Sequence, residues 1–123
     1  MDIKQGDIYM VDIPLSQTVG SEQQKRRPYV VMSRLSVNKL GKNVVGIPLS
    51  HVINKANQHR ILIPAKEIIK DATSNFPFVN SVALTDQVRV LDISRLELPR
   101  IGYLSTTATI AVQLGLAFLF DIR

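Results

Sequence analysis

Three adjacent cations, Lys25, Arg26 and Arg27, stand directly before Pro28 and the apolar run YVVMS. The planar guanidinium of arginine offers parallel N–H donors to a phosphate, so it can stabilise the charge of a phosphoryl transition state. Because a proline restricts the backbone of the preceding residue, Arg27 is the cation with the best defined position. The spacing predicts that Arg27 clamps a reacting phosphate and that Lys25 and Arg26 gather the phosphate backbone. The alternative is a surface cation whose stem lies along the strand start.

The positive charge of the chain is concentrated around this loop. The net charge is +5, with a pI near 9.8. Residues 21–60 contain eight basic residues and one acid, Glu22, which is a net +7 and leaves −2 for the rest of the chain. Such an asymmetry is typical of a face that binds a polyanion, although basic proteins also bind nucleic acid incidentally.

The composition indicates one globular domain over residues 1–123, because 46% of the residues are hydrophobic and 20% are charged. The sequence has no cysteine, which excludes disulfides, thiolate zinc sites and cysteine nucleophiles. The two histidines, His51 and His59, are not spaced with a carboxylate as a zinc protease requires. No glycine-rich phosphate loop is present. We therefore expect neither a metal nor a cofactor.

The sequence also predicts a cytoplasmic protein without a membrane span. The N-terminus MDIKQGDIYM has acids where a signal peptide would have a basic and then an apolar region. The longest apolar stretch, residues 108–120, is interrupted by Gln113 and is shorter than the roughly 20 residues that a spanning helix needs.

Alternating and β-branched runs predict a mainly β fold with short helices. Residues 14–27 are polar and aperiodic, which predicts a long functional loop. Pro48 places its end of a strand at a sheet edge or bulge. Ser105 is expected to cap a closing helix, with Pro99 and Gly102 ending the strands before it. The predicted strands are residues 7–13, 29–33, 43–50, 59–65, one or two within 80–92, and a short one at RLEL, with a helical turn at KEIIKDA.

This pattern favours a small SH3-like antiparallel barrel or curled sheet with a C-terminal helix. The helix, TTATIAVQLGLAFLF, is apolar nearly all round, which indicates burial on more than one side. Either the chain's own sheet covers the whole helix or a second subunit covers one side.

Four segments resemble, in order and spacing, the motifs of the MazF/PemK (Kid-like) toxin endoribonucleases of type II toxin-antitoxin systems. They are GDIYMVDI, GSEQQKRRPYVVMS, VVGIPLS and SVALTDQVRVLD. The most specific parts are Gly-Ser-Glu-Gln before Arg-Pro, and the later DQVR. The resemblance implies a CcdB/PemK-like fold and metal-independent cleavage of single-stranded RNA. In that reaction the 2′-hydroxyl attacks the adjacent phosphate and leaves 2′,3′-cyclic phosphate and 5′-hydroxyl ends. It also implies a cognate antitoxin and a homodimer.

The resemblance assigns two catalytic positions. Arg27 matches the catalytic arginine that precedes the proline. Ser50 stands two residues beyond Pro48, where the family has a threonine, so the hydroxyl is kept and a methyl is lost. We expect Ser50 to donate to a phosphate oxygen or to the leaving group, held less firmly than threonine because serine has more rotamer freedom. The alternative is a strand-end serine that bonds its own backbone.

The DQVR motif suggests further support for catalysis. Asp86 matches an acid that assists catalysis in the Kid/PemK branch, but Leu84 stands where that branch has an arginine. Asp86 is therefore either a catalytic support or a turn residue. Gln87 and Arg89 are candidates for contacts with bases or phosphates.

The family's loop motif adds Ser21 and Gln23 as candidate RNA contacts, and Glu22 as a possible catalytic support. Glu22 either positions Arg26 or Arg27 or is an ordinary solvated acid.

His51 follows Ser50 directly. Strand alternation would turn it to the opposite face unless the strand has already ended. It is either an RNA contact at the cleft edge or a plain surface histidine.

Two other functions compete with RNA cleavage. CcdB-like gyrase poisons share the architecture and act through the C-terminal end of the helix, without needing the loop arginine or the strand hydroxyl. A catalytically weakened relative would bind RNA and leave it intact.

Overall fold

The computed structural model describes residues 2–13 and 26–123. The predicted site residues Ser21, Glu22, Gln23 and Lys25, and most of the predicted loop over 14–27, lie outside these ranges. Within them the structure has eight strands and two α-helices. These are β1 Asp7–Val11, β2 Arg27–Val31, α1 Leu35–Asn38, β3 Asn43–Ser50, β4 Ile61–Ile63, β5 Ile68–Lys70, β6 Ser81–Ala83, β7 Arg89–Asp92, β8 Leu96–Leu104 and α2 Thr106–Leu119.

The strands form one antiparallel, nearly closed sheet in the order β4-β6-β3-β2-β1-β8-β5, with β7 also paired to β3. Strand β3 pairs with β7 over Asn43–Gly46 and with β6 at Leu49–Ser50. Pro48 lies where β3 changes partner, so its missing N–H falls in a gap of the ladder. The proline therefore marks a junction between two partner strands and not the sheet edge or bulge that the sequence suggested. The predicted barrel-like fold with a C-terminal helix is confirmed.

Alternation along the central strands gives the sheet two apolar faces. Ile8, Val30 and Ile47 pack in one cluster with residues of α2. Tyr9 and Tyr29 belong to a second cluster on the other face. All five residues of β1 are buried, because both faces of this strand are covered.

Two sequence predictions about the elements after β4 were wrong in detail. The expected helical turn at KEIIKDA is a 3₁₀ turn, Ala65–Glu67, followed by β5. Pro99 and Gly102 do not end the strands, because β8 runs through both of them. Between the pairs Met10–Glu97 and Ile8–Gly102 the register shifts, so residues 98–101 bulge out of the ladder. This bulge accommodates Pro99, which has no N–H to donate.

Helix α2 begins as predicted, with Ser105 Oγ accepting a hydrogen bond from Ala108 N at 3.1 Å. Ala108, Val112 and Gly115 face the sheet and are buried. A Cβ on Gly115 would lie 2.7 Å from the His59 carbonyl oxygen, which shows how closely the helix packs. In the described part of the chain, the sheet covers only one side of the helix, because Ile110, Leu114 and Phe118 are exposed. Among the described residues, no helix is long and apolar enough to cross a membrane.

Candidate active site

Arg27 opens β2 at the wall of a cleft with a volume of about 410 Å³. We call this the Arg27 cleft. Strands β1, β2 and β3 supply one wall and the segment before β6 supplies the other. Its lining residues are Met10, Arg26, Arg27, Pro28, Leu49, His51, Phe76, Pro77, Phe78, Val79 and Ser81.

The Arg27 guanidinium is partly desolvated. Its Nε is buried and has no hydrogen-bond partner among the described residues. Burial lowers the pKa of Arg27, and the nearby Tyr29 opposes that shift. An arginine still remains protonated at neutral pH. A cationic side chain that lines a cleft and has a buried N–H without an acceptor is the arrangement expected of an anion-binding group.

Ser50 lies beside Arg27 in the sheet but not on the cleft wall. Tyr29 is paired with Pro48, so continuing this antiparallel register places Arg27 opposite Ser50. Ser50 is 3% exposed, and its Oγ accepts a hydrogen bond from Val52 N at 3.2 Å. That bond is the local one expected of a strand-end serine. Within the described ranges, the hydroxyl hydrogen has no acceptor.

His51 lines the Arg27 cleft and is exposed. Strand β3 ends at Ser50, so strand alternation does not carry the His51 side chain to the opposite face. The structure therefore brings this histidine to the same cleft as Arg27.

Arg26 also reaches the cleft, but it is already paired. Its Nε and Nη2 donate to both carboxylate oxygens of Glu97 at 2.7–2.9 Å. These hydrogen bonds are the main reason why the pKa of Arg26 is raised and the pKa of Glu97 is lowered. A phosphate that binds Arg26 must therefore compete with a carboxylate that is 71 positions away in the sequence.

Asp86 lies in a 3₁₀ turn between β6 and β7, and it does not line the Arg27 cleft. Its two carboxylate oxygens accept from Arg60 at 2.8 and 2.7 Å, and this hydrogen bonding lowers its pKa. Leu84 occupies the position where the resemblance predicted an arginine. Arg60, from another part of the chain, supplies a guanidinium to Asp86.

Gln87 and Arg89 are likewise absent from the cleft wall. The Gln87 Oε1 is buried and has no hydrogen-bond partner among residues 2–13 and 26–123. Arg89 lines an apolar hollow near the C-terminal end of α2, together with Met32, Leu116 and Phe120. The structure thus gathers Arg26, Arg27 and His51 and leaves the DQVR residues elsewhere.

Sequence reasoning missed the opposite wall of the cleft, formed by residues 76–79, and it missed Glu97 as the partner of Arg26. The available signal was the FPF run, in which two aromatic residues flank a proline outside any predicted strand. In the part of the chain that the structure describes, no group of three or more His, Cys, Asp or Glu side chains could hold a metal ion.

Comparison with known proteins agrees with the motifs. Residues 4–120 match the family model described as PemK-like, MazF-like toxin of type II toxin-antitoxin system. The chain belongs to this family. It is 33% identical over 112 residues to the endoribonuclease MazF of Staphylococcus epidermidis, covering 90% of this chain and 85% of the relative. The family predicted from the four sequence motifs is confirmed.

Solved structures show the same fold. A crystal structure of MazF from Deinococcus radiodurans matches with a TM-score of 0.76 at 20% identity, covering 99% of both chains. A mycobacterial endoribonuclease solved in complex with its cognate antitoxin matches with a TM-score of 0.72 at 14% identity, covering 98% of this chain and 97% of the other.

In this PemK-like toxin the aspartate of the first motif, GDIYMVDI, has a structural role. Asp7 is 3% exposed. Its Oδ1 accepts from Arg100 Nη1 at 2.9 Å and its Oδ2 accepts from Lys4 N at 2.9 Å. Arg100 also donates to Asp71 and lies 4.4 Å from the ring centroid of Tyr103. This network fastens β1 to the bulge of β8.

Proposed function

We propose that this chain is a toxin endoribonuclease that cleaves single-stranded RNA without a metal, leaving 2′,3′-cyclic phosphate and 5′-hydroxyl ends. One observation supports it above the others. The arginine that matches the family's catalytic position lines a cleft, and its buried Nε has no acceptor among the described residues. The Staphylococcus epidermidis relative is itself named an endoribonuclease.

In the proposed reaction, the 2′-oxygen forms a new bond to phosphorus while the bond to the 5′-oxygen breaks. Negative charge develops on the phosphoryl oxygens, and the Arg27 fork binds two of them. Because the cleft partly excludes water around Arg27, its interaction with that charge is stronger than at an open surface. A base takes the proton of the 2′-hydroxyl and an acid gives one to the departing 5′-oxygen, so that no proton is gained or lost overall. Ser50 can donate to a phosphoryl or leaving oxygen that reaches it.

The proposed protein partners are a cognate antitoxin and a second copy of this chain. We infer that a cognate antitoxin binds this chain, since the mycobacterial neighbour was solved with its antitoxin. An acidic, partly disordered segment would compete with RNA for the basic cleft. We further propose a homodimer in which a second copy covers the exposed helix residues Ile110, Leu114 and Phe118. The toxin would act in the cytoplasm, where its RNA substrate is.

The deciding experiment incubates the purified protein with a long single-stranded RNA in EDTA and identifies the fragment ends. Cyclic phosphate and 5′-hydroxyl ends support the proposal. Intact RNA together with inhibited gyrase supports a CcdB-like poison, and RNA that is bound but intact supports a binding-only relative. Either of these two results would refute the proposed activity.

Removing the Ser50 hydroxyl should lower activity moderately. We expect Ser50→Ala to reduce kcat about tenfold, the effect of losing one donor to a charged group, with little change in KM. We expect this loss of rate to be smaller than the loss on replacing Arg27, because Ser50 is 3% exposed and off the cleft wall. Ser50→Thr restores the family's residue and should keep or raise kcat. Full activity of Ser50→Ala would show that the serine has only its strand-end role.

Removing the Glu97 carboxylate should tighten RNA binding. Glu97→Gln weakens the bidentate pairing of Arg26 and deletes the negative charge beside it, so we expect several-fold higher affinity at low salt. The gain should shrink between about 50 and 200 mM salt, as measured by the anisotropy of a labelled, 2′-O-methylated strand. Asp121→Asn is the matched control, because Asp121 is an exposed acid that pairs with Arg123. An equal gain in both variants would mean that only net charge matters.

A further inference from the structure

The segment from Thr73 to Val79 separates two cavities. One is the Arg27 cleft. The other, which we call the second cavity, has a volume of about 430 Å³ and lies between this segment and the β8 bulge at residues 98–101. Both cavities are lined by Met10, Arg26, Phe76 and Pro77. A ligand can therefore extend from Arg27 past Phe76 into the second cavity.

This dividing segment is fastened at both ends. The Asp71 N–H donates to the Ile101 carbonyl at 3.1 Å, and the Asn80 Oδ1 accepts from Ala65 N at 2.9 Å. Between these anchors, Ser74 Oγ accepts from the Phe76 N–H at 3.1 Å. The backbone that carries Phe76 is thus positioned before any ligand binds.

Phe76 and Phe78 have different surroundings. Phe78 packs against the hydrophobic core and approaches Gly102 so closely that a Cβ there would lie 3.1 Å from its ring. Phe76 meets Phe78 edge to face, with ring centroids 4.9 Å apart. Phe78 therefore supports Phe76 from the core side, while Phe76 remains partly exposed and lines both cavities.

The surroundings of Phe76 match what a single RNA strand requires. Proteins bind the splayed bases of single strands by stacking them on aromatic rings, and they bind the phosphates with arginines. Arg26 and Arg27 supply the cations beside the ring, and Thr73, Ser74 and Asn75 supply polar groups around the second cavity. The volume of the second cavity also falls in the usual range for small-ligand sites.

We propose that the second cavity is a nucleobase-binding site and that Phe76 stacks on the base next to the phosphate held by Arg27. This inference rests on the proposed function. It makes Phe76 a determinant of RNA affinity and of cleavage sequence, while the bond-breaking chemistry stays with Arg27.

A tryptophan at position 76 can report this stacking directly. The chain has no tryptophan, so Phe76→Trp introduces a single indole fluorophore. The probe is a 2′-O-methylated single strand of mixed sequence, which lacks the attacking hydroxyl. Its binding should quench the indole in proportion to occupancy, which is measured separately by filter binding. The matched control is Leu40→Trp, because Leu40 is 85% exposed and lines neither cavity. Its fluorescence should not change.

Phe76→Leu tests the proposed stacking by removing the aromatic ring. Leucine keeps an apolar side chain but cannot stack, so binding of the same strand should weaken about 5- to 100-fold. Mapped cleavage sites should become less sequence-selective. Phe76→Tyr keeps the ring and should retain both properties. Thermal denaturation of each variant shows whether the fold has been preserved.

The outcomes separate this inference from the proposed function. If the wild type binds and cleaves RNA while Phe76→Leu behaves identically and Phe76→Trp stays unquenched, only the stacking site is refuted. If the wild type neither binds nor cleaves single strands, both proposals are refuted. A quench produced by an acidic peptide and not by RNA would assign the second cavity to a protein partner, and that result would also overturn the inference.

Discussion

Arg27→Met is expected to lower the rate of RNA cleavage by about 10²–10³-fold while leaving the fold at least as stable as the wild type. Methionine keeps the apolar stem of the side chain and removes the guanidinium. The loss of rate follows because the fork that binds the phosphoryl oxygens is gone. Stability should not fall, because the Arg27 Nε is buried and makes no hydrogen bond with the described residues. Burial of an N–H group without a hydrogen-bond partner disfavours the folded state.

The measurement pairs single-turnover cleavage with urea unfolding of the same preparations. Arg34→Met is the matched control, since Arg34 is exposed and follows the other end of the same strand. It should cleave at the wild-type rate. Arg27→Lys should recover only a small part of the rate, because a lysine keeps the charge and loses the planar fork. Near-normal cleavage by Arg27→Met would refute the catalytic assignment.

Arg100→Met should lower the free energy of unfolding by about 3 kcal/mol, because it leaves the buried Asp7 carboxylate without its cation. Among the described residues, Asp7 would keep only the hydrogen bond from Lys4 N. The loss is a large part of the 5–15 kcal/mol that stabilises an ordinary domain. Asp71 would also lose its partner, but it is more exposed than Asp7 and should contribute less.

A second substitution separates the charge from the packing. Adding Asp7→Asn to Arg100→Met removes the unpaired charge, so the double variant should be more stable than Arg100→Met alone. Urea midpoints measure both, and Arg123→Met is the control, since Arg123 pairs with Asp121 in an exposed local contact. If Asp7→Asn lowered stability equally in the presence and absence of Arg100, the two residues would be energetically independent.

Features set by neighbouring residues could be predicted from the sequence. The capping of α2 by Ser105 depends on a bond to Ala108, three residues on. The position of Arg27 before Pro28 depends on a restriction between adjacent residues. The alternating run at residues 7–13 predicted the strand β1, and the spacing of four motifs identified the family.

The partners of the charged side chains could not be predicted in this way. Arg26 binds Glu97, Arg60 binds Asp86 and Arg100 binds Asp7. Each pair joins residues that lie far apart in the chain. Which of them meet depends on the register of several strands, and a shift of one residue would turn a side chain to the opposite face. Pairing with Glu97 is what distinguishes Arg26 from Arg27 in the folded protein.

The sequence alone thus determined the mainly β fold, the family and the arginine proposed to bind the reacting phosphate, because these follow from local backbone restrictions and motif spacing. The tertiary structure alone decided what surrounds that arginine. It brought His51 into the Arg27 cleft, placed Asp86 with Arg60, and set Phe76 between two cavities. Those neighbours are selected by how the sheet curls and where β8 bulges, and the packing that fixes both involves residues from the whole chain.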